Sequence, residues 1–130
     1  MSNLLPTDYQ NFIATSRYAR SLDEEGRREN FGETVDRYLD NVVVPHIGEG
    51  KVYKAIREAL FDLSITPSMR AMMTAGPAAS RDNTCMYNCS YLAVDDPKAF
   101  DEAMFILLCG TGVGFSVERQ FVSKLPEVPD

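Results

Sequence analysis

The sequence predicts an α/β protein: a helical lead-in followed by the opening strand-helix-strand portion of a larger sheet. Three observations carry this. Residues 1–63 hold three stretches with apolar side chains at helical spacing. Residues 85–94 and 113–117 read as strands. Between them lies an apolar helical stretch at 97–109, entered through Pro97, a residue suited to a first helical turn. The chain therefore divides into a helical region at 1–63 and the start of an α/β unit at 64–130.

In order, the first helix is expected at about 7–21, with Thr7 as N-cap and Tyr9, Phe12 and Ile13 as apolar positions. Residues 21–30 are rich in charge and read as exposed. A second helix opens at Gly32-Glu33-Thr34, with Val35, Tyr38, Leu39, Val42 and Val43 on one face, and is closed by Pro45 and Gly48. Val52, Ile56, Ala59, Leu60 and Leu63 mark a third helix at about 51–63. The character changes at Ser64. Residues 64–84 carry Pro67, Gly76 and Pro77 and read as a turn, a short helical piece and a loop. A strand, a helix and a strand in succession make a β-α-β unit, which normally means parallel strands joined by a right-handed crossover. Two strands alone make no stable sheet, so the unit reads as incomplete.

Composition excludes several classes. The chain has 130 residues, 45% hydrophobic and 25% charged, an ordinary globular balance that disorder does not share. Its longest apolar run, residues 103–109, is far short of the roughly 20 residues that span a bilayer. The N-terminal residues show no signal-type pattern, so the chain reads as cytoplasmic. A net charge of −6 argues against a duplex nucleic-acid partner, which needs a basic face. It leaves a single nucleotide open, because backbone amides and a few side chains can hold phosphate.

The most informative loop is Gly110-Thr111-Gly112-Val113-Gly114-Phe115-Ser116. It follows a helix and opens a strand, the reverse of a dinucleotide fingerprint, and it lacks the lysine of a P-loop. A helix C-cap needs one glycine. Three alternating glycines point to a second molecule approaching the backbone. Cys85 and Cys89, both read on a strand, would face one side about 13 Å apart, too far for a mutual disulfide. Three cysteines and His46 fall in no zinc spacing, so no metal site is expected. Cys109 reads as a core residue of an apolar helix face. For Cys85 and Cys89 two readings stand: structural thiols, or a redox thiol whose partner lies elsewhere. His46 reads as a surface or capping residue, and Asp95, Asp96, Asp101 and Glu102 as residues suited to a helix N-terminus. Met69, Met72 and Met73 read as a packing cluster, with Arg70 as a residue that could reach a phosphate.

Thr66-Pro67-Ser68-Met69-Arg70, then Tyr87-Asn88-Cys89, then Gly110-Thr111-Gly112-Val113-Gly114-Phe115-Ser116-Val117 occur in an order that resembles the catalytic chain of ribonucleotide reductases. The likeness is greatest to the adenosylcobalamin-dependent (class II) enzymes, including the ribonucleoside-triphosphate reductases, and covers residues 64–126. The resemblance implies a ten-stranded α/β barrel with Cys89 on its first strand. Cys89 would be one member of the redox pair that reduces the ribose. Asn88 and Ser68 would contact the nucleotide, and Gly110, Thr111 and Gly112 would supply the backbone that packs against it. Where the family has Gly-Gly-Gly, this sequence has Gly-Thr-Gly, which adds a side chain at Thr111.

The implied cofactor is adenosylcobalamin, with no binding residue assigned in this chain. The implied chemistry is thiyl-radical reduction of ribonucleotides to deoxyribonucleotides. The implied partners are a ribonucleoside di- or triphosphate, the remainder of the reductase barrel, and a thioredoxin-like or dithiol reductant. The thiyl cysteine, the second redox cysteine and the phosphate-binding segments come later in the family's sequences, so the chain alone is expected to be inactive. Two alternatives stand beside this reading. One is a large-chain fragment of an oxygen-dependent class I reductase. The other is a small helical interaction protein without catalysis.

Overall fold

The structure, a computed structural model, describes residues 5–127. Residues 1–4 and 128–130, part of the termini read above, lie outside the described residues. The chain forms two compact units that divide between Arg81 and Asp82. The change of character at Ser64 falls inside the first unit, because residues after it supply part of that unit's core.

The first unit begins with α1, Asp8–Arg17. The Thr7 hydroxyl accepts from the Gln10 amide, and the Gln10 side chain accepts from the Thr7 amide, at 3.2 and 3.1 Å. This reciprocal box satisfies two donors that a helix start leaves orphaned. The helix stops short of residue 21. Ser21–Leu22 (β1) and Arg27–Arg28 (β2) instead pair as a short antiparallel hairpin. The stretch read as simply exposed is thus folded back on itself: a single 3₁₀ turn, Asp23–Glu25, and left-handed Gly26 at φ 62° reverse the chain.

Helix α2, Phe31–Tyr38, starts at Asn30, earlier than the sequence suggested, through a second capping box with Glu33. It runs through a π-helical segment, Leu39–Val43, into α3, Val44–Ile47. Pro45 therefore does not close the helix. Proline lacks an N–H and crowds the carbonyl four residues back. The widened π turn, in which the Val44 N–H reaches the Leu39 carbonyl, loosens the ladder just before it. Gly48, at φ 66°, ends the run. Helix α4 spans Lys51–Phe61, and Leu63 follows in the left-handed region at φ 64°. Two short helices, α5 (Met69–Thr74) and α6 (Pro77–Arg81), complete the unit.

Val35, Leu39, Leu60 and Met72 form the core, all 3% exposed or less, with Phe31, Tyr38, Ile56, Phe61 and Met69 packed around them. The faces of α2 and α4 thus meet through Val35, Leu39, Ile56 and Leu60, joined by Met69 and Met72 of α5, while Val52 at the start of α4 is exposed. Beside them lies a buried ion pair. Arg37 Nε and Nη2 donate to the two carboxylate oxygens of Glu29 at 2.7 and 2.9 Å. Burial pushes the Glu29 carboxyl up. Bonds from Arg37, the Arg20 amide and the Thr34 hydroxyl outweigh it, and the net shift is below the usual glutamate value. Glu33 is lower still, at about 2, chiefly because the Arg27 guanidinium forks onto its carboxylate at 2.7 and 2.8 Å.

The second unit opens with a 3₁₀ turn at Asn83–Met86 and then strand β3, Cys89–Ala93. Cys85 lies in that turn and not on the strand, so the strand spacing of Cys85 and Cys89 does not apply. Helix α7, Lys98–Leu108, follows Pro97, and β4, Gly112–Ser116, returns parallel to β3. A short helix α8, Arg119–Val122, comes last. The β-α-β unit is therefore present. Among the described residues its sheet has two strands.

Candidate active site

The register of the two parallel strands organises the site. Cys89 lies opposite Gly112, Tyr91 opposite Gly114, and Ala93 opposite Ser116. Strand side chains alternate between faces. One face thus carries Cys89, Tyr91 and Ala93 beside Gly112, Gly114 and Ser116. The other carries Leu92, Val94, Val113, Phe115 and Val117, which line an apolar groove of about 380 Å³ with α7 residues Ala99, Phe100 and Met104. The Cys89 face is the one without α7. Cys89 is an exposed free thiol, and Tyr91 beside it is exposed as well.

The glycines do different work. Gly110 sits at φ 87°, a conformation that side chains resist, and its amide closes on the Leu107 carbonyl at 2.9 Å. It follows the Cys109 C-cap and turns the chain out of α7. Gly112 and Gly114 have no such need. A Cβ on Gly112 would come 3.4 Å from the Asn88 carbonyl, and one on Gly114 3.6 Å from the Ser90 carbonyl, both ordinary contacts. The fold tolerates side chains there, yet there are none. The result is a shelf of bare backbone beside Cys89.

Thr111 stands between Gly110 and Gly112. It is 2% exposed, and its hydroxyl faces the Thr84 carbonyl at 2.7 Å and the Tyr87 carbonyl at 3.0 Å. The added side chain therefore turns into the unit itself and ties down the turn before β3. One residue on, the Gly112 amide donates to the Asn88 carbonyl at 3.0 Å. Together these bonds fix the backbone on which Asn88 and Cys89 ride. The Asn88 side chain is exposed.

The other thiols differ from Cys89. Cys109 caps the end of α7, half-buried, with its Sγ 3.8 Å from the Asp82 carboxylate. Burial first, then the Asp82 charge, raises its pKa, so it is held as a protonated thiol. Cys85 is half-buried in its 3₁₀ turn. Ser68 belongs to the helical unit, where its hydroxyl accepts from the Ala71 amide at 3.4 Å as the N-cap of α5. Asp96 accepts from the Lys98 amide at the start of α7, and Asp95 pairs with Lys124. Among the described residues, no three of His, Cys, Asp and Glu come together to hold a metal ion. No helix of the described residues is long and apolar enough to cross a membrane.

Tyr91 went unnoticed in the sequence. The signal for it was the strand period: two residues after Cys89 means the same face. Glu29 and Arg37 also carried no local signal, because they lie eight residues apart across the start of α2.

With this geometry in hand, comparison places the chain beside one class of enzyme, the ribonucleotide reductases. The particular relatives are adenosylcobalamin-dependent ribonucleoside-triphosphate reductases. Those of Lactobacillus helveticus and Lactobacillus leichmannii are 27% and 28% identical, each across 85% of this chain. The protein of Lactobacillus gasseri is 24% identical across the same share. The chain spans about a fifth of the length of these relatives, 19% to 20%. No family model matches the sequence, and no solved structure gives a significant match.

Proposed function

We propose that this chain forms the opening part of a ribonucleotide reductase and that Cys89 is one of its two redox cysteines. The observation that carries the reading is the exposed Cys89 thiol on the face of β3 without α7, opposite a glycine that the fold itself does not require. A thiol beside bare backbone lets a flat sugar approach within reach of sulfur. The activity for which the relatives are named points to a ribonucleoside triphosphate as the substrate class. Asn88, at the edge of the shelf, and the Gly112 backbone would contact the nucleotide.

In this reading the ribose 2′-hydroxyl leaves as water and hydrogen takes its place at carbon 2′. Two cysteine thiols supply the two electrons and two protons and become one disulfide, so the reaction balances. Cys89 is one thiol. The second, and the thiyl radical that starts the reaction, belong to residues outside this sequence: Cys109 is engaged with Asp82, and Cys85 lies in the turn ahead of the strand. The relatives are adenosylcobalamin-dependent, and that cofactor would supply the radical chemistry of the reductase that contains this chain. A thioredoxin-like or small dithiol would reduce the disulfide, which the exposure of Cys89 permits.

The apolar groove between α7 and the sheet supports the view that further barrel elements cover this unit. Phe100, Met104, Leu107, Leu108, Phe115 and Val117 are all more than half exposed, a patch that isolated domains rarely leave open. By itself the chain would then be inactive. The test is Cys89→Ser in the reductase that contains this chain. Multiple turnover with a dithiol reductant is expected to collapse while nucleotide affinity holds. Unchanged turnover would remove Cys89 from the reaction.

A further inference from the structure

The helical unit carries a recess of about 520 Å³ lined by Arg20, Ser21, Arg37, Pro77, Ala78 and Arg81. Three of its six residues are arginines, from the link between α1 and β1, from α2 and from the end of α6, in a chain of net charge −6. The lining contains no carboxylate.

The three arginines are not equivalent. Arg37 is a fixed wall. Its Nε and Nη2 hold Glu29, its Nη1 donates to the Met72 and Ala75 carbonyls at 2.9 and 2.7 Å, and Nη2 also reaches the Tyr18 carbonyl at 3.5 Å. All five donors have acceptors, and Glu29 offsets the charge. Arg20 has a fixed root and a free head. Its amide donates to the Glu29 carboxylate at 3.0 Å, and its carbonyl accepts from the Glu29 amide at 2.9 Å. Its guanidinium, like that of Arg81, has no hydrogen-bond or ion-pair partner among the described residues. Ser21 gives its hydroxyl proton to Asp23 at 2.8 Å, so it offers a ligand lone pairs only. The grip falls to the two arginine heads, Arg20 and Arg81, that line the recess without a partner.

We propose that this recess binds a polyphosphate chain, with Arg20 and Arg81 each clasping a phosphoryl group. A guanidinium fork matches phosphate oxygens two at a time. Two forks from separate segments suit an anion of two or three linked phosphates, which offers each fork its own pair of oxygens. Net charge favours a small ligand. A chain at −6 repels an acidic protein surface over a Debye length, whereas a compact anion feels mainly the two charges that touch it. The recess is built from the helical unit alone, so it stands or falls separately from the role of Cys89.

The test is calorimetric titration of the 130-residue chain with sodium tripolyphosphate. Saturable binding is expected, weakening several-fold as salt rises from about 50 to 200 mM. Arg20→Gln and Arg81→Gln are each expected to weaken it about tenfold or more, the usual worth of a charge-assisted clasp. Arg119→Gln, in the other unit, is expected to leave it unchanged, and circular dichroism checks that each variant folds. A nucleoside triphosphate binding as tightly as tripolyphosphate identifies the phosphates as the recognised part; tighter binding adds the nucleoside to it. The proposal is overturned by an absence of saturable binding up to millimolar ligand or by variants that bind like the parent. Binding of a polyglutamate peptide but not of tripolyphosphate overturns it too, and makes the recess a contact for acidic polypeptide.

Discussion

Replacing Thr111 with valine keeps the shape of the side chain and removes one hydroxyl. The residue is 2% exposed, and its hydroxyl serves the carbonyls of Thr84 and Tyr87. A buried polar group left without its partner costs about 1–3 kcal/mol. The Thr84 carbonyl retains the Tyr87 amide at 3.1 Å, so only the Tyr87 carbonyl is stranded. The cost therefore belongs at the lower end, about 1–2 kcal/mol. The loss is local to the turn before β3 and to the β3–β4 pairing that follows. Native-state hydrogen exchange reads it directly. Amides bonded across β3 and β4 are expected to exchange about 5- to 30-fold faster in Thr111→Val, the factor that 1–2 kcal/mol sets. Thr111→Ser, which keeps the hydroxyl, is expected to stay near the parent. Equal exchange in Thr111→Val and the parent would refute the reasoning, as would Thr111→Ser behaving like the valine variant.

Arg37→Met leaves Glu29 buried without its cation and is expected to destabilise the helical unit by about 3–5 kcal/mol, read by urea unfolding. Because the folded Glu29 carboxyl lies below its ordinary value, its contribution is full above the unfolded pKa and is lost as pH falls through the folded one. Acid unfolding should thus steepen below about pH 4 in the parent and flatten in Glu29→Gln, as stability measured across that range would show. Gly114→Ala is expected to leave stability within about 0.5 kcal/mol, since its Cβ meets only ordinary contacts, while lowering nucleotide affinity in the proposed reductase that contains this chain. A stability loss large enough to unfold the second unit would mean that the glycine serves the fold and not a ligand.

Periodicity made much of this fold legible. The faces of α2 and α4 follow from Val35, Leu39 and Leu60, and the β-α-β order from the alternation of strand and helix patterns. Two places resisted. The hairpin at residues 21–28 consists of two-residue strands in a charged stretch, too short for any period, and only Gly26 marked the reversal. Pro45 looked like a terminator because proline usually is one; the π turn that accommodates it has no signature in composition. The division after Arg81 was hidden because Met72 joins the helical core through tertiary contact, not through local pattern. At the site, the glycine spacing pointed to the shelf, but only the backbone angles separate Gly110, which its own helix needs, from Gly112 and Gly114, which it does not. Thr111 could not be placed from sequence, since nothing local says whether a hydroxyl turns outward or inward.

The most direct test of the central claim is to map disulfides after one turnover of the proposed reductase that contains this chain, with substrate present and no external reductant. The account predicts that the peptide bearing Cys89 becomes disulfide-linked to a cysteine outside this sequence, in proportion to deoxyribonucleotide formed, while Cys85 and Cys109 remain thiols. Product formed with Cys89 still a free thiol would contradict it.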